Sequence, residues 1–163
     1  MEKMLRRVYE NAALTRVLKI VSHIVVVCAF AQFLAYIVLC YNISWKAFAV
    51  AAATTGAAFF IVSAIRGVLN APRPYDIYSF YEQKPKARKG GSFPSRHAFS
   101  VFCVAVSSFP ILPASASVLL VLGGALCACR VLLGIHFIRD CVAGAAIGVV
   151  SGTITAIVVN LTL

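Results

Sequence analysis

Acidic residues are scarce in this chain of 163 residues: five Asp and Glu stand against fifteen Lys and Arg, and all charged residues together make up only 12%. The pattern therefore offers no carboxylate cluster of the kind a magnesium or calcium site wants, so no metal or other cofactor is implied and metal-independent chemistry is expected. The six cysteines, at 28, 40, 103, 127, 129 and 141, show no Cys-x-x-Cys or zinc-ligand spacing and all lie in apolar segments. They read as small buried hydrophobes, and no disulfide framework is implied. There is no internal repeat and no second, hydrophilic domain, so residues 1–163 read as a single membrane domain. The first 19 residues lack an apolar run followed by a small-residue cleavage site. A cleaved signal peptide is not expected, and the first apolar segment reads as a retained anchor.

What the chain has in excess is apolar surface, with 61% hydrophobic residues and a mean hydropathy of +0.92. Soluble domains average roughly 45–50%. No Asp, Glu, Lys or Arg occurs in 20–45, 47–65 or 141–163, and each of these runs reaches the ~18 residues that a membrane helix needs. Residues 97–129 also lack these four types but are broken by Pro110 and Pro113, which suits two antiparallel spans better than one. The expectation is an all-α polytopic bundle of about five membrane helices, at about 20–41, 47–66, 95–110, 114–133 and 141–161. Small residues from Ala143 to Gly152 suit close packing and make the fifth span an interior helix. Residues 1–19 carry Lys3, Arg6, Arg7, Arg16 and Lys19 with apolar residues at helical spacing, and read as an interfacial amphipathic helix.

A net charge of +10 would suggest nucleic acid in a soluble protein. In a membrane chain the cations belong at the lipid surface or in a site facing anions, so no nucleic-acid partner is expected. If the spans alternate, the N-terminal arm, the polar insert of about 67–92 and the 134–140 link share one side. That side holds nearly all the noncatalytic Lys and Arg, including the Lys84–Lys89 run, and the other holds Lys46 alone. The positive-inside rule then puts the insert in the cytoplasm of a multi-pass cell-membrane protein.

Arg66, Arg73, Ser95, Arg96, His97, Arg130, His136, Arg139 and Asp140 fall at the same-side ends of the last four spans. Ionisable residues at membrane edges are functional candidates by default. Several guanidiniums around one point suit a tetrahedral dianion, because the planar fork pairs bidentately with phosphate oxygens. Ser95 opens a helix whose unpaired backbone N–H groups add donors for the same anion. Two histidines supply what phosphoryl transfer needs, a nucleophile and an acid for the leaving oxygen. Asp140 follows His136 by four residues, so in a helical link the carboxylate would fix the imidazole tautomer. His136 is thereby assigned to attack and His97 to protonation. Arg139 reads as a surface or head-group contact, and His23 as a residue partnered inside the bundle.

The stretches Arg66-x6-Arg73-Pro74, Pro94-Ser95-Arg96-His97 and Cys129-Arg130-x5-His136-x3-Asp140 resemble the three signature motifs of the type 2 phosphatidic acid phosphatase superfamily. The usual patterns there are Lys-x6-Arg-Pro, Pro-Ser-Gly-His and Ser-Arg-x5-His-x3-Asp, so Arg66 stands for Lys, Arg96 for Gly and Cys129 for Ser. The resemblance implies a helical bundle with its site at one membrane face. It also implies a phosphohistidine on His136, proton donation by His97, and phosphate contacts from Arg66, Arg73, Ser95 and Arg130. Arg96 is a further candidate contact, or a limit on which head group enters. Most members of that superfamily carry six spans and an extracytoplasmic site, whereas this shorter chain, counted from its basic N-terminus, places the site in the cytoplasm. The expected substrate is a lipid phosphate or diphosphate: phosphatidic acid, phosphatidylglycerol phosphate, or a polyprenyl phosphate or diphosphate. A catalytically silent lipid-phosphate-binding protein of the same fold is the alternative.

Overall fold

The structure is a computed structural model and describes residues 1–81 and 90–162. The Lys84–Lys89 run lies outside the described residues. Seven helices, and no strand, occur among the described residues: α1 (Glu2–Glu10), α2 (Ala12–Ile43), α3 (Trp45–Leu69), α4 (Pro74–Ile77), α5 (Arg96–Ser108), α6 (Pro113–Leu132) and α7 (Ile138–Asn160).

Local sequence explains most helix ends. Asn11 interrupts the basic N-terminal segment, and its side chain accepts from Leu14 N at 2.9 Å as the N-cap of α2. The first membrane helix therefore starts at Ala12 rather than near Ile20, and the interfacial helix is only α1. Its amphipathic face buries Leu5 and Val8. Ser44 caps α3, and Asn70 closes it in the left-handed conformation. Pro113 sits in the first turn of α6, where its missing N–H costs nothing.

Four helices, α2, α3, α6 and α7, are long and apolar enough to cross a membrane. The third of the five expected spans, α5, has 13 residues, which at 1.5 Å each covers about 20 Å of a roughly 30 Å hydrocarbon core. It needs no greater length because it is enclosed by the other helices, with Phe99, Val101, Cys103 and Ala105 all buried. Its main partner is α7. A Cβ on Gly144, Gly148 or Gly152 would meet the backbone carbonyl of Ser95, Phe99 or Cys103, so this glycine row is what lets the two backbones touch. Apolar transfer does not drive helices together in lipid, and dispersion along such a seam takes its place. Hydrogen bonds from Gln32 to Ser108 (2.8 Å) and from Thr155 to Thr54 (2.9 Å) tie α2 to α5 and α7 to α3.

The outer surface is apolar, with Phe30, Phe60, Val121, Val142 and Ile157 more than half exposed. Lipid is the solvent in which such a belt is not penalised. His23 and Cys28 lie on this outer surface of α2, so His23 is not partnered inside the bundle and not every cysteine is buried. A shared cluster of Val8, Leu18, Cys129, Leu132 and Leu133 holds α1 against the start of α2 and the end of α6. Tyr9 stacks edge-on against Tyr81 with ring centroids 5.0 Å apart. The basic N-terminal arm thus lies at the same end of the bundle as α4 and the start of α5.

Candidate active site

The site is built at that end. At the close of α6 the chain turns through Gly134, whose φ of +67° is easy only for glycine and whose missing side chain admits the Tyr81 hydroxyl. Ile135 N and His136 N both bond back to the Arg130 carbonyl, at 3.1 and 3.3 Å. This fixes His136 in a turn just before α7 instead of within a helix, so His136 and Asp140 do not share a helical face as the four-residue spacing suggests. Asp140 is the third residue of α7 and its carboxylate accepts from Phe137 N at 2.9 Å, capping the helix whose N-terminal dipole favours the charge.

His136 and Asp140 are each 1% exposed. Asp140 Oδ2 lies 3.8 Å from His136 Nδ1, beyond hydrogen-bond range, and Ser92 fills the gap. Ser92 Oγ donates to Asp140 Oδ2 at 2.5 Å and stands 3.4 Å from His136 Nδ1. With its proton given to the carboxylate, the hydroxyl can only accept from the ring. Nδ1 then carries the hydrogen, and Nε2 keeps the lone pair that a nucleophile needs. Burial holds His136 below its ordinary value, and Arg73 and Arg66 add to this against the opposing pull of Asp140, so the neutral ring is favoured.

Ser92 was not among the residues picked out by sequence. It lies three residues before Ser95, where it read as the end of a polar insert. A hydrogen bond from Ser92 N to the Ala71 carbonyl (2.8 Å) locks the segment against the start of α4. Ser95 caps α5, accepting from Ala98 N, while its own amide donates to the Asp140 carbonyl at 3.0 Å. The amides of Arg96 and His97, in the first turn of α5, have no carbonyl one helical turn behind them and are free to meet an anion.

Three arginines face this point from three elements. Arg66, in the last turn of α3, reaches the Pro94 carbonyl at 3.5 Å. Arg73 donates from Nε to the Gly90 carbonyl at 3.1 Å and lies over the Tyr75 ring. Asp76 ties the same loop together by accepting from Arg73 N and Gly90 N. Arg130, near the end of α6, has a buried Nε with no hydrogen-bond partner among the described residues. His97, half-buried, has Arg130, His136, Arg96 and Arg66 as its charged neighbours. The fold thus brings the residues singled out for the site to one end of the bundle, two of them, Arg139 and Arg96, as exposed side chains at its edge. Arg139 is 70% exposed and lies over Phe137, with its Nε 3.7 Å from Asp140 Oδ1. Arg96 is exposed and lies over the Phe59 ring of α3, 6.0 Å from its centroid, while remaining a charged neighbour of Arg66 and His97. Cys129 is buried in the cluster beneath α1, so a hydroxyl is not missing from the site. Among the described residues no three His, Cys, Asp or Glu side chains group to hold a metal.

A bundle of apolar helices carrying one polar, cation-rich end defines a multi-pass membrane protein. The family model described as PAP2 superfamily matches residues 46–162, and the chain belongs to that superfamily. Two solved structures share its fold. LpxE from Aquifex aeolicus superposes with a TM-score of 0.62 at 18% identity, covering 89% of this chain and 93% of that one. A transmembrane PAP2 type phosphatidylglycerolphosphate phosphatase from Bacillus subtilis gives 0.63 at 17% identity, covering 99% of this chain and 83% of that one. No curated protein matches.

Proposed function

We propose that this chain is a membrane phosphatase that removes phosphate from a lipid phosphate or diphosphate through a covalent intermediate on His136. The observation that carries the reading is the buried His136–Ser92–Asp140 chain set among Arg66, Arg73 and Arg130, with the Arg130 Nε left without a partner among the described residues. A buried donor without a partner costs about 1–3 kcal/mol, which a bound phosphate oxygen would recover. Membership of the PAP2 superfamily and the phosphatidylglycerolphosphate phosphatase of the same fold support the same class of reaction.

In this reading the three arginines and the first-turn amides of α5 hold the phosphate. His136 Nε2 attacks phosphorus, the ester P–O bond breaks, and His97 protonates the departing oxygen. Imidazolium character developing on His136 is stabilised through Ser92 by Asp140. Neutral His97 then takes a proton from water as it attacks the phosphohistidine, releasing phosphate and restoring both rings. The positive-inside bias favours a cytoplasmic site, since α1 and its basic residues lie at the site's end of the bundle.

The test is phosphate release by purified protein in detergent with excess chelator, over glycerolipid and polyprenyl phosphates, beside His136→Ala. Release that survives chelation and is lost in the variant is expected. Tight phosphate binding with no release from any lipid would instead establish the silent binding protein.

A further inference from the structure

Between α2, α3 and α5 runs an apolar groove of about 670 Å³, lined by Val26, Phe30, Phe33 and Phe59 among others, with Arg96 and His97 contributing its basic groups. Gly56 opens it further, since a Cβ there would meet nothing within 4 Å. His97 is therefore shared between the groove and the phosphate cradle, and Arg96 stands at the groove's rim as a charged neighbour of His97 and Arg66. Arg96 is exposed and has no ion-pair partner among the described residues.

In-line transfer to His136 sends the leaving group out on the side opposite the nucleophile, and His97, the acid assigned to it, lines the groove. The lipid part of that leaving group has the groove as its path. If the leaving group is a plain alcohol, one proton from His97 suffices, and a second fixed cation beside the groove has nothing to neutralise. An exposed guanidinium without an ion-pair partner among the described residues, set at the mouth of an apolar channel, is placed to meet an anion. A leaving group that is itself a phosphate carries up to two negative charges and fits the bidentate fork.

Resting on the phosphatase reading above, we infer that Arg96 determines specificity for lipid diphosphates by binding the phosphate that stays on the lipid. Arg66, Arg73 and Arg130 hold the phosphate that is transferred. The His136 Nε2–P bond forms as the anhydride P–O bond breaks, and its electron pair leaves on the bridging oxygen of a lipid monophosphate beside Arg96. That product is a far weaker base than an alkoxide and departs with its charge paired to Arg96, with or without a proton from His97. Water then cleaves the N–P bond, its proton passes to His97 or solvent, and inorganic phosphate is released.

The experiment compares kcat/KM for geranylgeranyl diphosphate and geranylgeranyl monophosphate, which share one tail, in the full-length protein and in Arg96→Gly, Arg96→Lys and His136→Ala. The unaltered protein is expected to prefer the diphosphate by about tenfold or more, and Arg96→Gly to lose about tenfold more on the diphosphate than on the monophosphate. Arg96→Lys should retain part of the preference. Equal losses on both substrates, or none, would overturn the inference while leaving the phosphatase reading intact. Absence of phosphate release from either lipid in the unaltered protein would overturn both, and release that persists in His136→Ala would overturn the histidine mechanism alone.

Discussion

Asp140 does not touch the histidine it serves: its Oδ2 lies 3.8 Å from His136 Nδ1, and the Ser92 hydroxyl occupies the space between them. The carboxylate therefore acts on the ring through one intervening oxygen, and the hydrogen on Nδ1 is fixed by a serine contributed from 44 residues away in sequence.

Removing that oxygen gives a direct test. Ser92→Ala should lower kcat about 10- to 100-fold, the scale on which loss of a charge-assisted hydrogen bond acts, with little change in KM. Ser92→Thr, which keeps the hydroxyl, should restore much of the rate. Trapping the phosphoenzyme by rapid quench separates a positioning role from a general loss of fold. The idea fails if both variants fall equally while the protein stays folded.

The pH profile follows from the charges around His136. Its cation is disfavoured by burial and by Arg73 and Arg66, so protonation on the acid side sets in below the ordinary histidine value of 6.5. Activity, which needs the neutral ring, should persist to lower pH than an ordinary histidine would allow. Arg73→Gln removes one opposing charge and should move the acid limb of kcat/KM upward, even though the absolute rate falls. Comparing the two proteins on one substrate cancels the substrate's own titration. An unchanged limb would rule out His136 as the group observed.

Gly148 is the centre of the α5–α7 seam, and a Cβ there would meet Phe99 O at 2.5 Å and Cys103 N at 3.1 Å. Gly148→Leu should destabilise the bundle by about 1–3 kcal/mol or more, because overpacking must separate the two backbones. Gly124→Ala meets nothing within 4 Å and should be neutral or slightly stabilising. Thermal unfolding in detergent distinguishes the two, and an unchanged midpoint for Gly148→Leu would show that the helices do not rely on this contact.

Sidedness is measurable with single cysteines at Ser79 and Ser115, both exposed and at opposite ends of the bundle. A cytoplasmic site predicts that position 79 resists a membrane-impermeant thiol reagent in intact cells while position 115 reacts. The reverse labelling would place the site outside. The native cysteines need replacing first, since Cys28 is also exposed.

Much of this architecture was legible before any coordinates. Uncharged runs located α2, α3, α6 and α7, because a helix whose outer face meets lipid requires length and apolarity. Pro110 and Pro113 marked the break between α5 and α6, and Ser95 announced the cap of α5. The residues Arg66, Arg73, His97, Arg130, His136 and Asp140 were recognisable because cations and imidazoles at span ends are costly without a task.

Other features needed the fold. Residues 1–19 read as one continuous helix in sequence, but at Asn11 the backbone N–H closes α1 on the Val8 carbonyl and the side chain caps α2. The His136–Asp140 spacing pointed to a shared helical face, but the turn at Gly134 keeps His136 outside α7 and gives Ser92 its place. The adjacent residues Arg96 and His97 look equally suited to phosphate in sequence, and only the fold sets Arg96 over Phe59 at the rim of the groove. Hydropathy, caps and helix breakers act between near neighbours in the chain and so are written in the sequence itself. Which side chain fills a gap between residues 136 and 140, or which way a guanidinium leans, depends on groups that only the tertiary fold brings within a few ångströms.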